Sequence, residues 1–200
     1  MAYQRKDAYY RRAKSEGYRS RAAYKLIELN ARHRLMRPGD RVVDLGAWPG
    51  GWTQVAAECV GEKGRVAAVD LVALDALPQA WVHLFRADLR DENVRRQIVE
   101  ALGGKADVVL SDMAPKLSGI RDRDEAMASD LARLALEVAR ELLRPGGKFL
   151  LKLFDSSETK ELVAEIRKSF SSVSSFRPEA TRTGSAELYA LASGFRPTAT

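Results

Sequence analysis

The stretch Asp44-Leu-Gly-Ala-Trp-Pro-Gly-Gly-Trp52 decides the fold of this chain. It starts within a short apolar run, residues 42–45, and leads into a segment of helical periodicity, residues 53–60. A buried strand that ends in an acidic residue and turns through glycines into a helix is typical of doubly wound α/β sheets, which bind ligands outside the carboxyl ends of their strands. The sequence therefore predicts an α/β fold with a ligand site at this turn.

Short apolar runs alternate with helical segments along the rest of the chain. The predicted strands are residues 42–45, 66–69, 82–85, 108–110 and 149–153. The predicted helices are a segment capped by Ser20 that ends near residue 35, and residues 53–60, 92–102, 124–143 and 158–170. Parallel strands need connections of about helix length, so this alternation predicts a mostly parallel sheet with helices on both faces.

The C-terminal region departs from this alternation. Residues 187–192 have the composition of a strand, but turns rich in Ser and Thr precede them instead of a helix. We expect this strand to enter the sheet antiparallel, as a hairpin with residues 173–176, which makes seven strands in total. No internal repeat and no linker divides the chain, so residues 1–200 are predicted to form a single domain.

Composition excludes several classes of protein. Of the 200 residues, 46% are apolar and 30% are charged, which is typical of a folded globular domain. No apolar run approaches the roughly 18 residues of a membrane span, and the start of the chain lacks the apolar stretch of a secretory signal, so a cytoplasmic protein is expected. One cysteine, Cys59, and two histidines, His33 and His83, exclude a disulfide scaffold and a structural zinc site.

The positive charge is concentrated in residues 1–25. This segment has eight basic and two acidic side chains, which accounts for the whole net charge of +6. It also contains five of the six tyrosines: Tyr3, Tyr9, Tyr10, Tyr18 and Tyr24. Cations contact phosphates and aromatic rings stack on unpaired bases, so the composition predicts a basic, Tyr-rich RNA-binding arm that leads into the first helix. A solvated, partly disordered tail is the alternative.

The charge and spacing of the glycine-rich turn indicate which nucleoside cofactor it binds. Gly46 and Gly50 are four positions apart, which does not fit the G-x-G-x-x-G pattern of dinucleotide sites. No G-K-[ST] follows, so a Walker A loop is excluded. Asp44 would repel a pyrophosphate, but it would attract the ammonium or sulfonium of S-adenosylmethionine.

Two further carboxylates follow neighbouring predicted strands. Asp70 ends the second strand, where it would accept hydrogen bonds from ribose hydroxyls. Asp88 follows the third strand, where it would accept from the adenine amino group. The structural alternative is that the glycines only make turns and that each Asp only caps a helix.

Charged side chains also lie among apolar neighbours. Lys152 lies within the apolar run 149–154, and Glu187 precedes Leu188 in the last strand. Burial of an unpaired charge is costly, so each of these residues requires a partner of opposite charge or must become neutral. Lys25, in the helix that the arm leads into, is placed to extend over the same edge of the sheet. For Lys25 and Glu187, surface charges at the ends of elements are the alternative.

Several motifs, in order, carry a resemblance to a known family. They are Ser20-Arg-Ala-Ala-Tyr-Lys25-Leu, the stretch from Asp44 to Trp52, Ser111-Asp-Met-Ala-Pro115 followed by Ser118-Gly119, Pro145-Gly-Gly-Lys-Phe-Leu-Leu-Lys152, and Ser185-Ala-Glu187-Leu-Tyr. Together they resemble the FtsJ/RrmJ heat-shock family of ribosomal RNA 2′-O-methyltransferases, over about residues 5 to 195.

The resemblance implies a Rossmann-like S-adenosylmethionine-dependent methyltransferase fold. It implies a catalytic tetrad of Lys25, Asp112, Lys152 and Glu187, in which Lys152 removes the proton of a ribose 2′-hydroxyl. The cofactor contacts that it implies are Gly50, Trp52, Asp70, Asp88 and Asp112. The implied substrate is a uridine in the A-loop of 23S rRNA, in the large ribosomal subunit. No metal is implied, and we expect a monomer.

The sequence departs from the family at Trp48, where Ala is usual, and at Lys116, where Asn is usual. These positions lie outside the tetrad, so they bear on substrate preference more than on the reaction. Three alternatives differ in class or substrate. The motifs do not exclude a transfer RNA ribose 2′-O-methyltransferase of the same superfamily. A nicotinamide-dependent oxidoreductase would need the dinucleotide glycine pattern, which is absent, and an RNA-binding module without catalytic activity would not need Lys152 or Glu187 among apolar neighbours.

Overall fold

The fold is seen in a computed structural model that describes residues 8–116, 118–154, 157–181 and 186–197. Residues 1–7 of the predicted arm, with Tyr3, and Ser185 of the last motif lie outside these ranges. No helix among the described residues is long and apolar enough to cross a membrane.

In the described part of the chain, seven strands form one sheet in the order β3-β2-β1-β4-β5-β7-β6. The strands are β1 (Arg41–Leu45), β2 (Arg65–Asp70), β3 (Val82–Arg86), β4 (Ala106–Ser111), β5 (Leu143–Phe154), β6 (Phe170–Phe176) and β7 (Glu187–Phe195). The pairs from β3 through to β5 are parallel, and β7 is antiparallel to both β5 and β6. The predicted mostly parallel sheet and the predicted C-terminal hairpin are therefore confirmed.

Six helices lie in the described ranges: α1 (Ala8–Ser15), α2 (Ala23–His33), α3 (Gly51–Val60), α4 (Glu92–Leu102), α5 (Arg121–Leu142) and α6 (Ser157–Ser169). The predicted cap at Ser20 is wrong, because the residue at the N-cap position of α2 is Ala22. Ser20 lies in the turn before the helix, where its carbonyl oxygen accepts a hydrogen bond from Ala23 N. α2 ends at His33, before the predicted residue 35, since Arg34 adopts a left-handed conformation and its N–H donates to Asn30 O.

Alternation along the strands divides the core into two layers. Val43 and Phe149 pack with α4, α5 and α6 on one face of the sheet. Val42 and Leu150, one residue out of phase, pack with α2 and α3 on the other face. Helices on both faces are therefore confirmed. Counting from Val42 in β1 or from Leu150 in β5, every second residue points toward α2 and α3. This alternation determines on which face the polar side chains at the carboxyl ends of these strands lie.

Close packing of the turn before β2 limits what position 64 accepts. An added Cβ at Gly64 would lie 2.6 Å from Asp40 O, a carbonyl that Arg65 N already binds at 3.1 Å. We expect Gly64→Ala to lower the free energy of unfolding by about 1 to 3 kcal/mol, because backbone on both sides must shift. Urea denaturation measures this change, with exposed Glu62→Ala as the control. Equal stability of the two variants would contradict the packing described.

Candidate active site

Strand register brings four charged side chains to one edge of the sheet. Ser111 of β4 pairs with Leu151 of β5, so Asp112 follows beside Lys152. Lys152 in turn pairs with Tyr189 of β7. Because β7 runs antiparallel, its first residue, Glu187, lies at the same edge as the carboxyl ends of β4 and β5. Helix α2 packs over this face and supplies Lys25.

The four side chains form a compact ion cluster. Lys152 Nζ lies 3.3 Å from Asp112 Oδ1 and 3.5 Å from Glu187 Oε1, and Lys25 Nζ lies 2.7 Å from Glu187 Oε2. Lys25 is only 6% exposed and Lys152 only 8%. Two buried ammonium groups are therefore matched by two carboxylates, which offsets the cost of removing them from water. The structure brings together all four residues of the predicted tetrad.

The charge of Glu187 is maintained by its two lysine neighbours. Burial acts to raise the pKa of this carboxyl, but the hydrogen bond and the charge of Lys25, together with Lys152, hold the pKa below its usual value. Glu187 therefore stays ionised at neutral pH and orients both ammonium groups.

Tyr189 joins the cluster, although the sequence analysis assigned it no role. Its hydroxyl donates to Asp112 Oδ1 at 2.7 Å and accepts from Lys25 Nζ at 3.3 Å. Burial and the adjacent Asp112 raise the pKa of Tyr189 well above its usual range, so the group remains a donor. Strand alternation was the signal that identifies it, since Tyr189 lies two residues after Glu187 on the same face.

The glycine-rich turn lies between β1 and α3, and β1 is next to β4 and two strands away from β5. Gly50 has φ +109°, and a Cβ there would lie 2.8 Å from Arg19 Nη1. The Arg19 guanidinium donates to the carbonyl oxygens of Asp75 and Ala76 at 2.9 and 2.7 Å, and so ties the arm to the segment that follows β2. Only glycine satisfies both the backbone conformation and this contact.

Trp52 lies in the first turn of α3 with its side chain in the core. The indole N–H donates to Ala22 O at 2.9 Å, and the ring lies 5.8 Å from that of Tyr189. The side chain therefore has a structural role. The cofactor contact predicted for Trp52 requires its backbone N–H, which lies at the N-terminus of α3.

Asp70 and Asp88 lie at the carboxyl ends of the adjacent strands β2 and β3. Asp70 accepts from Trp48 N at 2.9 Å and from Val72 N at 2.8 Å, one on each oxygen. Each oxygen keeps a lone pair that a ribose hydroxyl can use. Asp88 is exposed and accepts from Arg90 N at 2.9 Å. Both carboxylates are placed where the sequence predicts them.

Asp44 is fully buried and only partly satisfied. Its Oδ2 accepts from Thr53 Oγ1 at 2.7 Å, whereas Oδ1 has no hydrogen-bond partner among the described residues. Burial, reinforced by the charges of Asp112 and Asp70 and opposed by the Thr53 hydrogen bond, raises the pKa of Asp44 to about 7. A buried acceptor without a donor fits the ammonium of S-adenosylmethionine, just as the free lone pairs of Asp70 fit its ribose hydroxyls.

The variant Asp44→Asn tests this protonation state. Because the folded-state pKa lies above that of the unfolded chain, the free energy of unfolding of the wild type falls as the pH rises between about 4 and 7. The variant lacks this titration but keeps an acceptor for Thr53. Its stability relative to the wild type should therefore increase between about pH 5 and pH 8, by on the order of 2 kcal/mol, in urea denaturation. Thr53→Val, which keeps the Asp44 carboxyl, is the control. If the free energies of unfolding of the wild type and Asp44→Asn change in parallel with pH, the raised pKa of Asp44 is refuted.

The described part of the arm is more ordered than composition alone indicates. α1 packs Ala13 against Tyr24, and Arg12 pairs with Glu16 at 2.7 Å. Tyr24 is buried and donates to Glu16 Oε2, so its ring is not available for stacking on bases, contrary to expectation. Tyr18 donates to Glu58 Oε2 at 2.8 Å and is also engaged within the protein.

Exposed groups of the arm remain on the outer side of α1. Arg11, Lys14 and Tyr10 are exposed.

No group of three or more His, Cys, Asp or Glu side chains among the described residues is placed to hold a metal ion.

Comparisons with known proteins all give one family of methyltransferases. Residues 18–195 match the FtsJ-like methyltransferase family. Ribosomal RNA large subunit methyltransferase E of Methanothrix thermoacetophila is 49% identical over 96% of this chain and 73% of its own length. The protein of the same name from Methanothermobacter thermautotrophicus is 45% identical over 98% of this chain and 93% of its own.

A solved structure gives the same result for the fold. A Plasmodium falciparum protein whose crystal structure is described as that of a ribosomal RNA methyltransferase superimposes with a TM-score of 0.77. It is 26% identical and covers 89% of this chain and 98% of its own. With a family match over most of the chain, this chain belongs to the FtsJ-like methyltransferase family.

Proposed function

We propose that this protein uses S-adenosylmethionine to methylate the 2′-hydroxyl of a uridine ribose in the A-loop of 23S rRNA. The observation that carries the proposal is the buried cluster of Lys25, Asp112, Lys152 and Glu187 beside the glycine-rich turn. The name of the relatives, Ribosomal RNA large subunit methyltransferase E, supports the substrate class. We further propose that the protein acts as a monomer in the cytoplasm, on the large ribosomal subunit and without a metal.

The cofactor is held by residues at the ends of β1, β2 and β3. Asp70 accepts from the ribose hydroxyls, Asp88 from the adenine amino group and Asp44 from the methionine ammonium. Gly50 and the backbone of Trp52, at the N-terminus of α3, face the methionine carboxylate. When bound, S-adenosylmethionine supplies an electrophilic methyl group on a sulfonium sulfur.

The ion cluster prepares the hydroxyl for attack. Lys152, which must be a neutral amine for this step, takes the proton of the 2′-hydroxyl as its oxygen bonds to the methyl carbon. The sulfur–methyl bond would break at the same time, so that the products are the 2′-O-methyl ribose, S-adenosylhomocysteine and a protonated Lys152. Asp112 and Glu187 hold Nζ in position, at 3.3 and 3.5 Å. While Lys152 is neutral, the ammonium of Lys25 remains paired with Glu187, and Asp112 keeps the hydrogen bond that Tyr189 donates. Tyr189 keeps Asp112 in place through its hydroxyl.

Transfer of a labelled methyl group tests the reaction and the substrate together. The protein is incubated with labelled S-adenosylmethionine and, in separate reactions, large subunits from a strain that lacks this activity, bulk transfer RNA and a small catechol. We expect label in a ribose-methylated nucleotide of 23S rRNA. Label on transfer RNA alone would change the substrate, and absence of label from all three would refute the proposal.

The same assay tests the role of Lys152. Lys152→Ala should reduce transfer at least about 100-fold, because the hydroxyl loses its base, while the Kd for S-adenosylmethionine changes little. Lys152→Arg keeps the positive charge beside Asp112 and Glu187 but is not a base at neutral pH, so it should be equally inactive. Lys160→Ala, at an exposed position of α6, is the control. Near-native turnover of Lys152→Ala would show that another group takes the proton.

The arm is proposed to bind the phosphates of the substrate RNA. Arg11 and Lys14 are exposed and form no ion pair with another described residue, unlike Arg12, so Arg11→Gln with Lys14→Gln should weaken binding to a 23S rRNA fragment. The slope of log K against log salt should become shallower by roughly 1 to 2, while cofactor affinity is unchanged. Arg37→Gln with Lys63→Gln removes two exposed charges at the opposite edge of the sheet and serves as the control. If the two pairs change the slope equally, the arm has no special role.

A further inference from the structure

We infer that Trp48 is a cofactor-binding residue: its indole ring, together with Leu71 and Val72, forms an apolar surface around Asp70 for the adenosine half of S-adenosylmethionine. The inference rests on the proposed function and extends it to a side chain outside the contacts that the family resemblance implies. It gives a role to the position at which this sequence departs from the usual Ala.

Three large apolar side chains are exposed beside one carboxylate. Trp48 is 58% exposed, Leu71 65% and Val72 51%. Trp48 N donates to Oδ2 of Asp70 and Val72 N donates to Oδ1, so residues 48 and 72 are held on the two sides of this carboxylate. A ligand whose hydroxyls reach Asp70 therefore meets apolar surface on both sides.

The ring of Trp48 has no structural task comparable to those of the other two tryptophans. Trp52 donates its indole N–H to Ala22 O, and Trp81 donates to Ala57 O at 3.1 Å. The indole N–H of Trp48 has no partner in the part of the chain that the structure describes. An exposed indole costs hydrophobic free energy unless a ligand covers it.

The surface is held in place before any ligand binds. Asp70 fixes the backbone at both its sides, and Arg19 binds the carbonyls of Asp75 and Ala76 further along the same segment. A preformed surface reduces the entropy that a ligand loses when it binds.

Position along the sheet favours adenosine over a base of the RNA. In the order β2-β1-β4-β5, three strand spacings separate Asp70 from Lys152, which corresponds to about 14 Å. Trp48 is thus on the side of the edge where Asp70 and Asp88 lie, away from the ion cluster that receives the 2′-hydroxyl. A purine has two apolar faces and polar edges, which suits an indole ring and aliphatic side chains around a carboxylate.

Calorimetric titration of the full chain tests the inference. The ligands are S-adenosylmethionine and 5′-methylthioadenosine, which keeps the nucleoside and lacks the amino-acid half. We expect Trp48→Ala to raise both Kd values about 10-fold, Trp48→Phe to raise them by less than about threefold, and the ligand-free Tm of both variants to equal that of the wild type. Ile120→Ala, at another exposed apolar position, should bind both ligands as the wild type does.

Other outcomes separate this inference from the proposed function. If Trp48→Ala binds both ligands as the wild type does, the inference is wrong, although the proposed function stands. If Trp48→Ala loses affinity only for a fluorescent 23S rRNA fragment, the ring stacks on substrate and the inference is also wrong. If the wild type itself does not bind S-adenosylmethionine, the proposed function fails first.

Discussion

The structure depends most on the pairing of two buried ammonium groups with two carboxylates at the ends of β4, β5 and β7. Neither Lys25 nor Lys152 is tolerable at its observed burial without a partner, since an unpaired buried charge costs several kcal/mol. Glu187 serves both lysines, so β7 must lie next to β5 and α2 must cross the same face. The ion pairs at the ends of β4, β5 and β7 therefore also constrain the order of the strands in the sheet.

Much of the fold follows from the pattern of apolar residues. The runs near Val42, Val66 and Val108 lie between segments of helical period, and their alternation requires a mostly parallel sheet. Lys152 and Glu187 were recognisable because each interrupts an apolar strand, and a charge in that setting requires a partner. The helix that follows the arm pointed to Lys25, and the family resemblance then supplied Asp112. Strand register and helix α2 bring all four within contact distance.

The rest depends on contacts between segments that the sequence does not reveal. α1 has only Ala13 buried, so it lacks the apolar stripe by which a helix is recognised, and it packs through Tyr24 of α2. Ser20 has the residue type of a cap, but its side chain lies against Gly51 of the glycine-rich turn. Arg19 binds two carbonyls more than 50 positions away. Each of these is a tertiary contact that local preference does not determine.

The position of β7 also determines when the ion cluster can form during folding. β6 pairs with β7 and with no other described strand, and Lys25 lies 162 positions before its partner Glu187. A nascent chain can assemble β1 to β5 first, since their contacts are closer in sequence. The ion cluster is complete only when β7 has inserted between β5 and β6. Folding that stops after β1 to β5 therefore yields a sheet that has the glycine-rich turn but lacks Glu187, the carboxylate that both lysines share.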